Sequence, residues 1–380
     1  MSLKTDTMMV AKTGYPLNRL RTLPAERKQL LATERKWTTE QKKWTKKREK
    51  PVLSGTRMVL LMGLLAVIPN TFLKAQTCSC AGTPLISSQS SGASTKGNLL
   101  LGITYEYHDI SALYSNSRSM VNNEAIRSTQ SALLEMHYGI TDRLSVSGTA
   151  THVEKHRTTG LQHPGGTRTL TTQGVGDGLI LLKYVLMQQT LWNPVHVVIG
   201  SGAKAPIGTT SLEENGIALN ADMQPGTGAW DGVFWSEVLL SLLPYTAAKL
   251  LWHHSYRHTG TNERFAADDR YRFGNELVSK LGVSNQIGER LSYMILLGYR
   301  STSSDQLNGN NLPNTGGKWL NVESMLNVGV TDWVSARISG RIPVYQYLNG
   351  TQPTTSWAVS GSVFFNFNSS EQEFIHGKND

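Results

Sequence analysis

The stretch "SWAVSGSVFFNFN", residues 356–368, decides the fold. Trp357, Val359, Gly361, Val363, Phe365 and Phe367 fall on one face of an extended chain. Ser356, Ala358, Ser360, Ser362, Phe364 and Asn366 fall on the other. A period of two is the signature of a strand with one apolar and one polar face. The same pattern recurs in "WVSARISGRIPV" (333–344) and in "RLSVSGTAT" (143–151). Twelve such segments are read, centred near 103, 134, 148, 181, 200, 236, 253, 276, 296, 324, 339 and 361. "GITDR" (139–143), "SNQIGER" (284–290) and "GVTDW" (329–333) are short turns, as are the links 188–194 and 244–247, which carry Pro194 and Pro244. The stretches 110–127, 155–173, 206–228, 258–268 and 301–318 are long and polar. Short turns that alternate with long loops put all turns at one end of the molecule and all loops at the other.

Two architectures can use this pattern. A soluble sandwich turns the apolar faces inward; a transmembrane barrel turns them outward, against lipid. Strands of about ten residues suit a tilted crossing of the hydrocarbon. An even strand count suits closure, which removes unpaired edges. Aromatics cluster near strand ends, where an interfacial girdle belongs: Tyr105, Tyr107, Tyr138, Trp192, Trp235, Trp252, Tyr299, Trp319, Trp333, Tyr345, Tyr347, Trp357 and Phe367. The expectation is an all-β, antiparallel transmembrane β-barrel of about 12 strands over residues 97–368, followed by a tail at 369–380.

What precedes residue 97 fits this location. "RMVLLMGLLAVIPNTFLKAQ" (57–76) has the basic, apolar and polar regions of a secretory signal, with the signal peptide at 57–75 and cleavage after Ala75. Its apolar core is too short for a spanning helix. The segment 1–56 is read as a basic, disordered extension or as the product of a start assigned too early, and the second reading is favoured. The net charge of +9 misleads: residues 1–57 hold 15 Lys/Arg and 5 Asp/Glu, leaving 22 basic against 23 acidic residues for the rest. With no basic face on the body, nucleic acid is excluded as a partner. The only cysteines, Cys78 and Cys80, lie in a flexible mature N-terminus (76–96). They rule out a disulfide scaffold. Their sharper reading is a soft-metal hook for Cu(I), and no other cofactor is expected.

With the apolar faces outward, the alternate residues line the lumen: Glu106, His108, Glu135, His137, Lys183, His196, Lys204, Lys280, Arg300, Glu323, Arg337 and Arg341. One reading is structural, opposed charges pairing across and filling a narrow barrel. The other is a polar path for solutes. Arg337 and Arg341, with Glu323 on the preceding strand, are expected to form an ion-pair ladder.

"GVGDGLILLKY" (174–184) looks at first like a nucleotide loop. Gly174, Gly176 and Gly178 do not have the GxGxxG spacing, and a strand follows instead of a helix. The segment is read as a loop entering the fourth strand, with Asp177 at the junction. "PGTGAWD" (225–231), carrying Gly226, Gly228, Trp230 and Asp231, is read as a turn capped by the Asp231 side chain, with Trp230 at the interface. The alternative is that the 206–228 loop, which opens with Pro206 and Gly208, folds inward as a constriction.

Three of these patterns carry a family resemblance. "GVGDGLILLKY", "GSGAKAPIGTT" (200–210) with "QPGTGAWD" (224–231), and "YRFGNEL" (271–277) resemble the outer-membrane barrel family of transporters of the phenol-degradation meta-pathway type. The match departs at Ala205-Pro206-Ile207-Gly208, where that family more often has Pro-Thr-Gly. The resemblance implies a barrel in the outer membrane of a Gram-negative bacterium and a transport role, with no settled substrate. The function expected is thus a non-enzymatic, porin-like channel for small, hydrophobic or other, solutes, its partners being outer-membrane lipid and the solute. The rivals are a structural or adhesive barrel displaying its loops, and a phospholipase-like enzyme. For the enzyme, "SYRHTGTNERF" (255–265) offers His258 and Asn262, with Thr259 or Thr261 in the place of a serine.

Overall fold

A computed structural model describes residues 94–368 apart from 124, 163–164, 191, 243–246 and 267–268. The signal segment, the basic extension, Cys78 with Cys80 and the tail lie outside the described residues. Twelve strands make the wall: β1 (Asn98–Ile110), β2 (Ala125–Gly139), β3 (Leu144–Thr159), β4 (Gly178–Met187), β5 (Val195–Ala205) and β6 (Asp231–Ser241). The second half is β7 (Lys249–His258), β8 (Glu276–Ile287), β9 (Leu291–Thr302), β10 (Gly317–Gly329), β11 (Val334–Thr354) and β12 (Trp357–Asn368). Each pairs antiparallel with the next, and β12 returns to β1 from Asn98↔Asn368 to Asp109↔Trp357. The result is a closed 12-stranded antiparallel barrel.

The alternation that builds the strands also sorts their sides. Ile180 is 61 % exposed, Ile338 58 %, Phe234 58 % and Leu134 56 %, whereas Lys183 and Glu135 are 0 % exposed. Aliphatic side chains therefore face out and ionisable ones face in, the reverse of a soluble fold. Val359 and Val363 join the outer belt, and Arg337 and Arg341 stand half-buried on the inner face. Most of the aromatics expected in a girdle do face out, among them Tyr105, Tyr138, Trp252, Trp333, Tyr345 and Trp357. Trp235 and Trp319 do not: both are buried on the inner face, because their strand positions share parity with Glu237 and Asn321.

Three of the short links share one local chemistry. In "GITDRL" the Thr141 hydroxyl accepts from the Arg143 and Leu144 N–H groups at 3.2 and 2.9 Å. In "GVTDWV" Thr331 does the same for Trp333 and Val334 at 3.3 and 3.0 Å. In 188–194 Thr190 accepts from Trp192 and Asn193 at 3.3 and 3.0 Å. A threonine that mimics a backbone acceptor closes each of these three turns.

The other end is more ordered than its polar sequence implies. β3 runs on to Thr159, and Arg168–Val175 pairs with its upper half. Ala112–Asn116 pairs with the far end of β11 and with Arg118–Met120. Four short segments, at Thr261–Phe265, Asp269–Arg272, Gln306–Leu307 and Asn310–Asn311, form a separate sheet of loop strands. The eighth strand begins at Glu276 and is not centred there, because Tyr271 and Arg272 belong to this loop sheet. β11 carries a bulge between its partners Pro343 and Tyr345. Pro343 cannot donate to a ladder, and bulges are where sheets admit it. Past the extra residue, Val344, the inward parity switches from Arg341 to Gln346 and Leu348.

Candidate functional site

The site begins with a kink. Arg168–Val175 and β4 both pair with β3, one above the other, so 168–187 is nearly a single strand interrupted at Gly176-Asp177. The Gly176 N–H still reaches the Thr151 carbonyl at 2.9 Å. A Cβ on Gly176 would lie 2.2 Å from Thr151 Oγ1, so only glycine allows this approach. The kink turns the Asp177 carboxylate inward. There it accepts from Lys204 Nζ at 2.6 Å, Thr227 Oγ1 at 2.6 Å, Thr227 N–H at 3.0 Å and Gly208 N–H at 3.2 Å. Gly208 and Gly226 meet beside it, and a Cβ on either would sit 2.7 Å from the other's backbone. The polar loop expected ahead of the fourth strand is corrected accordingly: Arg168–Val175 is a paired strand, and only Gly176-Asp177 interrupts it before β4 begins at Gly178.

Thr227 therefore takes its cap from Asp177, 50 residues back, and not from Asp231. Asp231 instead accepts from the Gly260 N–H at 3.0 Å and pairs with Lys204 at 3.2 Å. Gly174 is the penultimate residue of the Arg168–Val175 strand, Pro206 opens the loop, Gly228 takes φ +73°, and Trp230 points outward at 65 % exposure.

From this knot the 206–230 segment folds inward. Lys155, on the inner face of β3, donates to the carbonyls of Asp222 and Gln224 at 2.8 and 2.7 Å. Thr172 Oγ1 donates to the Met223 carbonyl at 2.8 Å, and Arg127 on β2 pairs with the Asp222 carboxylate. On its other side Ala221 packs with Tyr271 and Phe273 of the loop between β7 and β8. The segment thus joins walls on opposite sides of the barrel, across its loop-side mouth.

Just inside that mouth a belt of alternating charge passes from strand to strand. Asp177 precedes β4; Lys204 ends β5; Asp231 opens β6, 3.2 Å from Lys204. Arg257 of β7 stands 3.9 Å from Asp231 and 3.7 Å from Glu276 of β8. Arg300 of β9 binds Glu276 at 2.7 and 2.9 Å and lies 4.5 Å over the Trp319 ring of β10. Deeper, Glu323 receives Lys280 at 2.8 Å and Arg341 at 3.3 Å. Removing one partner of such a pair would strand a buried charge, although the pair itself adds little net stability.

All twelve lumen candidates lie on the inner face. His108 is 3.3 Å from Glu106, and His137 is 3.5 Å from Glu135. His196 is half-buried near the short-turn end. The expected ladder forms only in part. Arg341 faces Glu323 in the register, but Arg337 faces Asn327, whose Oδ1 it reaches at 2.5 Å, and it stacks 4.7 Å from the Phe364 ring. Four residues along the strand is too far for one carboxylate to serve both. Lys183 sits 4.8 Å over the Trp235 ring, beside an apolar inner patch of Leu179, Leu181, Val185, Val198 and Val233.

Lys155, Arg127, Asp222, Arg257 and Glu276 were not singled out from the sequence. Lys155 lies in the polar upper part of β3 and Glu276 at the first position of β8, and carrying the inward parity to these strand ends reaches both. Of the residues considered for a lipase, Thr259 Oγ1 donates to the Phe273 carbonyl at 2.5 Å. Asn262 donates to Thr227 and accepts from Arg264, so both serve loop architecture.

A cavity of about 520 Å³ opens at the mouth. Arg257, Arg300 and Arg341 form part of its wall, and Phe265, Tyr271 and Phe273 another part. A smaller one of about 30 Å³, beside Glu106, His108 and Arg341, has room for water.

No protein-family model and no curated protein matches the chain. Among solved structures, an outer membrane channel from Pseudomonas putida F1 is similar at 15% identity. The match covers 72% of this chain and 97% of that one, with a TM-score of 0.59. At that identity the likeness shows a shared barrel fold. The transport unit of an autotransporter from Escherichia coli matches at 12% identity over 77% of this chain and 94% of that one. Its TM-score of 0.43 makes it too different in shape to bear on anything finer.

Proposed function

We propose that the chain is a channel of the Gram-negative outer membrane that passes small solutes, reached through a cleaved signal peptide, and that it has no enzymatic activity. A closed wall with aliphatics outside and charge inside suits a lipid bilayer. The observation that carries passage is the 206–230 segment. It crosses the mouth as a loop tied to the wall mainly by side-chain hydrogen bonds and an ion pair, not by a strand ladder, so it can move without opening the wall. Two of the three motifs that resemble the phenol-degradation type make up the knot at Asp177, which supports that narrower kinship and leaves the solute open. The sheet of loop strands supports a second reading, a barrel that displays its loops.

Conductance in planar bilayers tests the proposal. Purified protein that migrates as a folded, heat-modifiable band should give discrete conductance steps on insertion. Folded protein that inserts and never conducts would favour the display reading.

A further inference from the structure

The mouth cavity contains an arginine whose surroundings leave it wanting an acceptor. Arg257 is on the inner face of β7, with its side chain 12% exposed. A guanidinium has five donors and no acceptor. Its nearest carboxylates, Asp231 and Glu276, are 3.9 and 3.7 Å away, beyond hydrogen-bond reach. Its Nε is buried without a partner, and no hydrogen bond from its side chain occurs among the described residues. The carboxylates around it are engaged elsewhere. Glu276 is taken by Arg300 at 2.7 Å, Asp231 by Lys204 and by Gly260 N–H, Asp222 by Arg127, and Asp305 by the Tyr271 hydroxyl at 2.7 Å and Gly274 N–H at 2.8 Å.

The same cavity has an apolar wall. Tyr271 meets Phe265 in a tilted contact at 5.0 Å and Phe273 edge-on at 4.9 Å, and Leu307 and Leu312 pack against them. A volume of about 520 Å³ suits a small organic molecule. Fork geometry favours a planar oxyanion, which two guanidinium N–H groups can grip at once. A purely apolar solute would leave Arg257 unsatisfied, and a small inorganic anion would leave the aromatic wall uncovered.

We infer that the cavity binds a small monocarboxylate with an apolar body of about one ring, its carboxylate on Arg257 and its body against Tyr271 and Phe273. This inference takes the solute class of the proposed channel as its subject, and so rests on that reading for its purpose but not for its binding.

The test is calorimetric titration of the full-length protein in detergent with benzoate, benzyl alcohol and acetate. Benzoate should bind saturably. Benzyl alcohol, which keeps the ring and loses the charge, and acetate, which keeps the charge and loses the ring, should each bind at least about tenfold more weakly. Arg257→Gln should lower benzoate affinity by about the same factor and leave benzyl alcohol unchanged. Equal affinity for benzoate and benzyl alcohol, or no saturable benzoate binding, would overturn the inference. The comparison of probes on the unaltered protein decides the matter even if the variant does not fold. Conductance without benzoate binding would leave the channel and remove the site, whereas benzoate binding without conductance would do the opposite.

Discussion

At the scale of single residues, the architecture of the mouth depends on places where a side chain cannot exist. Gly176 lets the kinked strand lie on Thr151 and Val153; a methyl there would meet Thr151 Oγ1 at 2.2 Å and Val153 Cγ2 at 2.9 Å. Gly176→Ala should therefore destabilise the barrel by about 1–3 kcal/mol, as over-packing does. Gly361→Ala, whose methyl would meet nothing within 4 Å, should stay within about 0.5 kcal/mol of the parent. Urea unfolding in detergent measures both. Asp305, in the loop after β9, gives a pH-dependent counterpart. Burial raises its pKa, outweighing the bonds from Tyr271 and Gly274 that lower it. The folded loop then holds the proton more tightly than the unfolded one, so its stability falls as pH rises from the ordinary carboxylate range through the raised value. Hydrogen exchange at 303–316, corrected for its intrinsic pH dependence, should show protection declining on that rise, and Asp305→Asn should flatten the curve. The sequence announced Gly176 and Asp177 as special but not why. Their partners, Gly208 and Thr227, lie 31 and 50 residues further on, and no local pattern encodes such a pairing.

At the scale of elements, the inward segment 206–230 sets how wide the mouth stands. Its tether is Lys155, whose two bonds to carbonyl oxygens are charge-assisted and worth about 1.5–3 kcal/mol each. Lys155→Met keeps much of the stem and removes both. It should raise the population of the open mouth by at least about tenfold and appear as longer or larger conductance steps in planar bilayers. An unchanged trace would mean that the segment does not gate. Most strands were legible because one face alternates cleanly with the other, as in β12. β4 was still legible although Leu179, Leu181 and Val185, which pack against Val198 and Val233, make its inner face as apolar as the outer. The reading failed where the pattern breaks. In β3, the polar run after Lys155 looked like loop but continues as strand, paired on its upper half by Arg168–Val175. In β11, the bulge at Val344 resets the parity beyond Arg341, which counting by twos does not anticipate. Two tryptophans, Trp235 and Trp319, were read by residue type as girdle, although their parity already placed them inside.

At the scale of the whole molecule, the molecule is ordered by an inversion: charge within, hydrocarbon without. A slip of one residue in any strand pair would exchange the two faces. The charged belt from Asp177 to Arg300 would then turn toward lipid, so the ion pairs oppose register errors even where they add little to stability. The inversion makes a quantitative demand on the outer wall. A cation placed there costs about 2–4 kcal/mol at the bilayer midplane and falls to about 0–1 kcal/mol near the interfaces. Ile338 lies well within β11, and Val328 stands one residue from the short-turn end of β10; both face outward, at 58 % and 40 % exposure. Refolded into vesicles and unfolded with urea, Ile338→Arg should lose most of the larger cost and Val328→Arg little. In detergent-free water neither site would distinguish arginine from a polar residue, so a barrel wall that met solvent would show no such gradient. Equal costs at the two depths, or none at either, would mean that the exposed aliphatics do not face acyl chains, and the channel reading would fall with them.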